Sequence, residues 1–475
     1  MNNKIKKLKI VILVAGLITG FVSVYAQNGD STFITRQAQV TFVHPLGSNG
    51  IDAPKVVNNF SFNLLYGISG GVNGVEIGGL VNQSNGDIRG FQLAGLGNSA
   101  RGYLKGFQLG GLYNYIQLHS NGAQLAGIAN IDMKDTRGGY FAGIANISNG
   151  NSNGAYFAGL TNLSRENGQG AQFSGLTNIN QGAMRGAQVT GLGNINLETM
   201  NGAQIAGLAN LNLKEMTGAQ IAGLINLTVQ DMTGAQVAGL ANVVTGSAQS
   251  QIAGLANITG KESNGLQLAG LINVAPREHR GAQISGLFNY SRTLNGLQLA
   301  PFNIADTVKK GVPIGFISVV AHGYRRIELE GNELLFANLN FKTGTTQFYN
   351  IFSIGYRPEK EKQYWGLTYG FGTLVPVSNR INFNFDLTAT QINEDEPWTD
   401  TLNLLNRFKF NISYRFGKRF EVMGGPSFNV AVSKLRNAEG VVVGSSIVPD
   451  HGFYNETFKG TNVKMYIGYN LGIRF

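Results

Sequence analysis

The sequence predicts an all-β protein in two parts, a β-solenoid of sixteen-residue repeats followed by a C-terminal transmembrane antiparallel β-barrel. Three observations predict this fold. A nine-residue block recurs at a fixed interval between residues 75 and 303, and the last third of the chain alternates apolar with polar residues. The first segment has the pattern of an export signal.

The N-terminal segment, residues 1–26, reads MNNKIKKLKIVILVAGLITGFVSVYA. Lysines followed by a short apolar run that ends on small residues are typical of a secretory signal peptide, so we predict cleavage near Ala26. A membrane anchor is the alternative, but the apolar run is short and no second apolar span follows. Removing its four lysines from 37 basic residues, against 27 acidic ones, would lower the formal net charge from +10 to +6.

The composition excludes several classes of protein. The chain has no Cys, so an exported form has no disulfides and depends on β-sheet hydrogen bonds and burial for stability. Charged residues make up only 13% and Gly reaches 66, which suits neither a disordered chain nor an ordinary soluble enzyme. The basic residues are scattered instead of gathered on one face, so we expect no nucleic-acid partner.

The repeat has the consensus G-x-Q-φ-A-G-φ-x-N, where φ is apolar. The glycine of A-G-φ, which we call the marker glycine, recurs every sixteen residues from Gly79 to Gly239, and then at Gly254, Gly270 and Gly286. Pro301 fills the slot in the last copy. A fixed period of this length indicates a repeat architecture, and the Gly and Asn content opposes helix. We therefore predict about fifteen coils of β-solenoid over residues 75–303.

Three arrangements of the repeats are open. In a solenoid identical residues stack about 4.8 Å apart, so that Gln and Asn form hydrogen-bonded ladders along the stack. In a single large barrel each repeat would be one transmembrane strand, but alternate turns should then differ in length and chemistry, and they do not. A meander of small hairpins would leave an apolar face uncovered. The sequence favours the solenoid, with Leu, Ile, Val and Ala in its core and atypical end coils marked by Glu76 and Pro301.

Two neighbouring repeats, GAQIAGLAN at 202–210 and GAQIAGLIN at 218–226, are nearly identical. Their repeated polar and glycine slots predict a structural ladder rather than a repeated active site. The predicted ladder residues are Gln204, Gly207, Asn210, Gln220, Gly223 and Asn226.

Residues 304–475 have the pattern of an outer-membrane barrel. INFNFDLTAT at 381–390 and FKFNISYRF at 408–416 alternate aromatic or aliphatic residues with polar ones. Short turns alternate with longer polar loops, as expected when the short turns face the periplasm. We predict eight to twelve strands. Residues 27–74 hold further strands that belong either to the barrel or to a cap of the solenoid.

The chain ends on the amphipathic strand MYIGYNLGIRF, which places Tyr469, Leu471, Ile473 and Phe475 on one face. A terminal strand ending in an aromatic residue resembles the one that barrel proteins present to the barrel-assembly machinery. Together with the signal peptide and the repeats, it resembles a group of Gram-negative outer-membrane β-barrel proteins with GxQxAGLxN-type surface repeats. The resemblance implies location in the cell outer membrane and carries no activity with it.

The sequence contains no motif typical of a catalytic, cofactor or metal site. No histidine lies within metal-ligand spacing of another, there is no Cys, and no phosphate-binding glycine motif occurs. We therefore predict no catalytic residue, no cofactor and no metal site. Polar residues predicted to face the barrel lumen either line a channel or pair with each other and close it. These residues are Asp386, Lys409, Arg415, Glu421 and Arg474.

The leading functional hypothesis is a non-enzymatic outer-membrane protein, in which the barrel anchors a repetitive solenoid for surface interaction, adhesion or envelope scaffolding. Its expected partners are outer-membrane lipid, the barrel-assembly machinery, and an unknown protein or glycan that contacts the repeats. The first alternative is a channel or transporter whose solenoid plugs or extends the barrel. The second is the single large barrel in which each repeat is one transmembrane strand.

Overall fold

A computed structural model describes residues 33–359, 362–417, 420–450 and 452–475. The chain forms a parallel β-solenoid of about sixteen turns and a closed eight-stranded antiparallel β-barrel at the C-terminus. This confirms the predicted fold class and excludes the single large barrel built from repeats. The predicted signal peptide, residues 1–26, and its cleavage site at Ala26 lie outside the described residues.

Two compact units make up the chain, one ending at Gly122 and the other comprising Ala123–Phe475. No helix in the described part of the chain has the length and hydrophobicity needed to cross a bilayer.

The first unit consists of solenoid coils. Strand β1 runs parallel to β3, and β3 runs parallel to β4, so the strands between residues 34 and 69 lead into the solenoid. The sequence left open whether this region belongs to the barrel or to a cap of the solenoid, and in the structure it belongs to the solenoid. The elements are β1 (Ile34–Val43), β2 (Leu46–Gly47), a 3-10 helix (Gly50–Lys55), β3 (Val56–Ser69), β4 (Gly71–Gly78), β5 (Val81–Ser84), β6 (Ile88–Ala94), β7 (Gly97–Ala100), β8 (Leu104–Gly110) and β9 (Tyr113–Ile116).

The solenoid coils of the second unit each comprise a longer and a shorter strand. The boundary between the units falls within strand β10 (Ser120–Ala126). The remaining solenoid strands are β11 (Ala129–Asp132), β12 (Thr136–Ala142), β13 (Ala145–Ser148), β14 (Ser152–Ala158), β15 (Thr161–Ser164), β16 (Gly168–Ser174), β17 (Thr177–Asn180), β18 (Met184–Thr190), β19 (Gly193–Asn196), β20 (Met200–Ala206), β21 (Ala209–Asn212), β22 (Met216–Ala222), β23 (Ile225–Thr228), β24 (Met232–Ala238), β25 (Ala241–Val244), β26 (Ala248–Ala253), β27 (Ala256–Thr259), β28 (Ser263–Ala269), β29 (Ile272–Ser285), β30 (Phe288–Leu299), β31 (Phe302–Ile314) and β32 (Ile317–Val320).

Equivalent residues of successive coils stack in register. Strand β20 runs parallel to β22 with Gln204 opposite Gln220, and β21 runs parallel to β23 with Asn210 opposite Asn226. Equivalent positions of successive coils therefore have the same neighbouring residues, which is the physical reason for the near-constant repeat.

The solenoid interior differs from the expected one. Gln204 and Asn210 are buried, whereas Ile205 is 40% exposed and Leu208 is 45% exposed. The expectation of a Leu, Ile, Val and Ala core is therefore wrong for the Leu, Ile and Val of the consensus. The buried apolar side chains lie in other slots, as Ile88 does in the first unit and Met200 in the second. Strand alternation required Gln204 and Ile205 to face opposite sides, and the polar side faces inward because the amides hydrogen-bond along the stack.

Glycine occupies two special places in most coils. Gly202 has a φ of +143°, a conformation that side chains with a Cβ rarely adopt. At the marker position, a Cβ placed on Gly207 would lie 2.0 Å from the carbonyl oxygen of Gly191 in the preceding coil. The coils approach so closely at this corner that only glycine fits.

The barrel begins at Tyr324, not at residue 304 as predicted. Strand β31 runs parallel to β32, with Phe302 opposite Ile317, so residues 302–320 form the last solenoid turn. The barrel strands are β33 (Tyr324–Asn332), β34 (Ala337–Gly344), β35 (Tyr349–Pro358), β36 (Gln363–Pro376), β37 (Ile381–Glu394), β38 (Asn403–Phe416), β39 (Phe420–Ser433) and β41 (Thr461–Arg474), with β40 (Tyr454–Phe458) as a hairpin strand on β41.

The barrel is closed, and its neighbouring strands are antiparallel throughout. Consecutive strands pair from β33 to β39, β39 pairs with β41, and β41 pairs back with β33. The connections 345–348 and 377–380 lie at one end, and the connections 395–402 and 434–453 lie at the other. Strand β33 starts and β41 finishes at the short-turn end, because Tyr324 pairs with Gly344 and Arg474 pairs with Glu328.

We expect Gly207→Ala to destabilise the solenoid by about 1–3 kcal/mol, because the new methyl group must push the Gly191 carbonyl away. Hydrogen exchange of the full chain in detergent should report faster exchange in the coils around residues 190–223. Asn201→Ala in the same coil is the control, since this exposed change should alter stability by less than about 0.5 kcal/mol. Equal exchange in the two variants would contradict the close approach.

Candidate functional site

A ladder of glutamine side chains runs through the solenoid interior. Gln204 Nε2 donates to Gln188 Oε1 at 2.9 Å, and Gln220 Nε2 donates to Gln204 Oε1 at 2.8 Å. The same bond repeats from Gln236 onward to Gln298. The direction is constant, because each amide donates to the preceding coil and accepts from the following one.

A second ladder is made of asparagines. Asn210 Nδ2 donates to Asn226 Oδ1 at 2.9 Å and to the carbonyl oxygen of Ile221 at 2.8 Å. Asn210 Oδ1 accepts from Asn194 Nδ2 at 2.9 Å. The predicted ladder residues Gln204, Asn210, Gln220 and Asn226 thus lie in these two ladders, with their amides engaged inside the protein. Such side chains hold coils together and offer no free group for chemistry.

The first glutamine slot holds a carboxylate. Glu76 is fully buried and accepts hydrogen bonds from Gln92 Nε2 at 2.6 Å and Asn63 Nδ2 at 3.1 Å. Burial raises the pKa of Glu76 from 4.5 to about 7, although the hydrogen bonds from Gln92 and Asn63 oppose this shift. A carboxylate has only acceptor oxygens when ionised, so it suits the end of a ladder whose amides all donate toward it.

Tyrosines replace glutamine in two coils of the second unit. The rings of Tyr140 and Tyr156 stack with their centroids 4.8 Å apart, the spacing of adjacent strands. The Tyr156 hydroxyl is hydrogen-bonded to Thr136 Oγ1. Stacked rings therefore fill the same interior column where the amide ladder is interrupted.

The outside of the solenoid carries an apolar edge around the marker glycine. We define this edge in the second unit by three columns: two residues before the marker (Leu125 to Leu299), one after it (Ile128 to Leu287) and four after it (Ile131 to Tyr290). Every residue in these columns is apolar or tyrosine. On the outer surface Phe141, Phe157 and Phe173 stack with ring centroids 4.9 Å apart.

Charged side chains lie on the opposite corner of the coil. In residues 123–320, all of which the structure describes, only Asp132 is buried among the charged residues, and none lies in the apolar edge. The others cluster between the end of the shorter strand and the start of the longer one, as Glu215 and Arg185 do. The coil is therefore amphipathic around its circumference. Its interior combines the amide ladders with buried apolar side chains such as Met200 and Met216.

Charged residues fill the barrel interior in opposite pairs. Their side chains are buried, with the exception of Arg415 at the short-turn end and Glu333 near the loops, which are partly exposed. The pairs are Lys342–Asp386 at 2.7 Å, Lys342–Glu328 at 3.1 Å, Arg474–Glu328 at 2.5 Å, Arg474–Glu421 at 3.1 Å, Arg415–Glu421 at 2.8 Å, Lys409–Glu330 at 2.9 Å and Arg407–Glu333 at 2.7 Å. All five polar residues predicted to face the lumen thus lie in ion pairs.

Apolar side chains close both ends of the barrel interior. At the loop end, Leu334, Leu335, Ile447 and Val448 enter from two connections and pack with inward-facing residues of the strands. At the short-turn end Tyr324 and Tyr349 pack together, with ring centroids 4.8 Å apart. A cavity between these layers has a volume of about 20 Å³, room for about one water molecule.

The last solenoid coil packs on the outer wall of the barrel. Asn350, an outward-facing but fully buried residue of β35, accepts from the backbone N–H of Ser318 at 2.8 Å. Its Nδ2 donates to the carbonyl oxygens of Gly315 and Phe316 at 3.0 and 3.1 Å. The Phe316 ring stacks on Tyr369 of β36 at 4.4 Å. The apolar corner of the last coil therefore touches the apolar wall of the barrel.

The predicted terminal-strand residues lie on this outer wall. Tyr469, Leu471 and Phe475 are 66%, 65% and 51% exposed, and Ile473 points to the same side. Arg474 between them points inward and is fully buried. The strand thus joins an apolar outer face to the charged interior.

Among the residues that the structure describes, the histidines form no cluster. His279 is buried in the solenoid, and its burial lowers its pKa from 6.5 to about 4, so the ring is neutral at neutral pH. His451 lies outside the described residues. Within the described ranges, no group of three His, Cys, Asp or Glu is placed to hold a metal ion. Comparison of the chain with protein-family models, curated proteins and solved structures gave no match.

Sequence reasoning missed Asn350 and Phe316, which hold the two parts of the second unit together. Neither belongs to a repeat consensus or to a motif, and Phe316 lay inside the predicted barrel. The one available signal was the pair Gly296 and Gly311, which continues the fifteen-residue spacing of the final coils.

We expect Asn210→Asp to loosen the solenoid locally, because a carboxylate cannot donate to Asn226 Oδ1 or to the Ile221 carbonyl. Each unsatisfied buried polar group costs about 1–3 kcal/mol, and a buried charge adds to this cost. Hydrogen exchange of residues 194–226 in the full chain should accelerate at neutral pH. The control is Asn201→Asp, the same chemical change on the exposed side of the same coil. An equal response would contradict a buried amide ladder.

Glu76 should make the first coils sensitive to pH. Its folded pKa of about 7 exceeds the unfolded value of 4.5, so the unfolded chain releases the proton first. Stability is then fully present below the unfolded pKa, falls as pH rises through this window, and levels off above the folded pKa. Hydrogen exchange of residues 60–98, corrected for intrinsic rates, should show less protection at about pH 8 than at about pH 5.

Glu76→Gln should remove this pH dependence, because glutamine has the same shape, continues the ladder and does not titrate. The exposed change Asp52→Asn should leave the dependence as in the unaltered chain. A pH dependence that persists in Glu76→Gln would contradict the assignment to this carboxyl group.

Proposed function

We propose that the chain is a non-enzymatic structural protein of the bacterial outer membrane, in which the barrel is the membrane anchor of the solenoid. The observation that carries the proposal is the closed barrel with an apolar outer wall and an interior of paired charges. A transmembrane strand needs about 9–11 residues, and the strands β36, β37, β38, β39 and β41 have 14 residues each.

The outer wall of the barrel has the composition expected of a lipid-facing surface. Aliphatic and aromatic side chains that are 40–52% exposed occur on successive strands around the barrel, and each alternates with an inward polar residue. They include Ile327, Leu339, Ile354, Leu367, Leu387, Phe408 and Phe428. A water-soluble barrel would have to expose this band to water, which favours aggregation.

The topology favours a periplasmic solenoid that acts as an envelope scaffold. The barrel has an even number of strands, so the segment entering β33 and the C-terminus after β41 lie at the same end, which is the short-turn end. Short turns of outer-membrane barrels face the periplasm. This supports scaffolding over adhesion at the cell surface, among the uses that the sequence analysis left open for the repeats.

The resemblance to Gram-negative outer-membrane proteins with GxQxAGLxN-type repeats belongs to the same proposal. It implies export through the signal peptide at residues 1–26 and insertion by the barrel-assembly machinery through the terminal strand. The exposed face formed by Tyr469, Leu471, Ile473 and Phe475 is the surface that we assign to this recognition.

Cell fractionation tests the membrane location, and protease treatment of intact cells tests the side. We expect the full chain to sediment with the outer membrane and its repeats to be cleaved only after the membrane is permeabilised. A soluble chain would overturn the proposal, and cleavage of the repeats in intact cells would place the solenoid outside.

Phe475→Ser should lower the amount of folded protein in the outer membrane several-fold, because the terminal strand loses its aromatic end. Phe458→Ser is the matched control, since Phe458 is 70% exposed on the hairpin strand β40 away from the terminus. The readout is the folded fraction in outer-membrane preparations. Equal levels of the two variants would argue against recognition through Phe475.

The channel alternative makes a different prediction. An eight-stranded barrel is just wide enough for its interior side chains, and here ion pairs and apolar clusters occupy that space. We therefore expect the purified chain to give no stable open level in planar lipid bilayers. A reproducible conductance that depends on Lys409 or Glu330 would establish a channel instead.

A further inference from the structure

We propose that the solenoid of the second unit buries its apolar edge in the periplasmic leaflet of the membrane that holds the barrel. The inference rests on the proposed outer-membrane location of the barrel. The solenoid would then be a monotopic element lying along the bilayer, and lipid acyl chains would be the partner of the repeats.

The distribution of charge around the coil supports a lipid partner. The apolar edge contains no charged residue between residues 123 and 320, whereas the opposite corner carries both signs, as at Lys214 and Glu215. The edge side chains remain accessible: Ile205, Leu208 and Leu224 are 40%, 45% and 41% exposed. Contiguous apolar surface rimmed by polar residues marks a protein or membrane interaction site, and amphipathic elements with a charged opposite face can lie in a membrane interface.

The depth of the edge matches one leaflet. Leu208 at the corner is five residue steps from Ala203, which at strand spacing is about 16 Å. The shorter strand adds an apolar face of about 10 Å from Leu208 to Leu211. One leaflet contributes about 15 Å to a hydrocarbon core about 30 Å thick. The edge can therefore enter one leaflet without placing the charged corner in hydrocarbon.

Each of the three backbone N–H groups at the corner of this coil is paired, and of the corner carbonyl oxygens only that of Gly207 receives no backbone N–H. Leu208 N–H and Ala209 N–H both donate to the Leu192 carbonyl, each at 3.0 Å, and Gly207 N–H donates to the Thr190 carbonyl at 3.2 Å. The amide side chains on either side of the corner, Gln204 and Asn210, point inward to the ladders. Hydrocarbon favours structures whose polar groups are satisfied internally, and the backbone N–H groups of this corner meet that condition.

The edge is continuous with the outer wall of the barrel. Phe316 occupies the position after Gly315 that Leu208 occupies after Gly207, and it stacks on Tyr369 of the barrel wall. Asn350, which fixes this contact, is the second residue of β35 and lies next to the short turn. The apolar edge thus starts at the level where the barrel wall enters the periplasmic side of the membrane.

Site-directed spin labelling tests the proposal, because the chain has no native Cys. The full chain is reconstituted in palmitoyl-oleoyl phosphatidylcholine vesicles with a single label at Leu208→Cys or Leu224→Cys. Labels at Asn201→Cys and Glu215→Cys report the opposite corner of the same coil. A label at Leu339→Cys reports the barrel wall. Collision rates are measured with oxygen, which concentrates in lipid, and with a water-soluble nickel chelate.

We expect the oxygen-to-nickel collision ratio at Leu208 and Leu224 to equal that at Leu339 and to exceed that at Asn201 and Glu215 several-fold. A water-like ratio at Leu208 and Leu224, with a lipid-like ratio at Leu339, overturns this inference and leaves the membrane anchor intact. A water-like ratio at all five positions overturns both proposals. Spectral broadening by a neighbouring label, without oxygen preference, assigns the edge to a second copy of the chain and also overturns the inference.

Discussion

The stacking register of identical coils is the constraint on which the rest of the structure depends. The ladder amides hydrogen-bond to their counterparts in neighbouring coils, as Gln220 does to Gln204. A register shift of one residue would place an outward-facing side chain in the ladder. The repeats therefore vary mostly outside the ladders, and where Tyr140 and Tyr156 replace glutamine their rings stack on each other. In the fifteen-residue coil the register shift falls between Met232 and Ala235, and Gln251 still donates to Gln236 at 2.9 Å.

Solenoid and barrel share one arrangement of polar and apolar groups. In both, polar side chains pair in the interior and apolar side chains face outward: amides such as Gln204 in the solenoid, and ion pairs such as Lys342–Asp386 in the barrel. Pairing lowers the cost of burying polar groups, and a contiguous apolar outer surface is unfavourable in contact with water. This common arrangement is the physical basis for the proposal that both parts belong to one membrane-associated protein.

The sequence periodicity was sufficient to predict a stacked solenoid and a barrel. It did not predict which face of the solenoid strands lies inside. The sixteen-residue period predicted parallel stacking, and the alternation in INFNFDLTAT predicted inward Asp386 and outward Leu387 in the barrel. The solenoid core was predicted the wrong way round, because hydrophobic residues are expected inside when the surroundings are water. Alternation places Gln204 and Ile205 on opposite faces without saying which face is inside.

The boundary at residue 304 was also predicted wrongly, because the last coil has lost its consensus. Pro313 stands in the glutamine slot and Ser318 in the asparagine slot, yet both strands still pair in register. The site at the junction was beyond sequence reasoning, because it depends on how Asn350 meets a coil with no recognisable motif.

Hydrogen exchange of the side-chain amides, measured by NMR on the full chain, tests the central claim most directly. The account predicts strong protection of the amide groups of Gln204 and Asn210 and free exchange at the exposed Asn201. Free exchange at all three positions would contradict a polar ladder inside an apolar exterior.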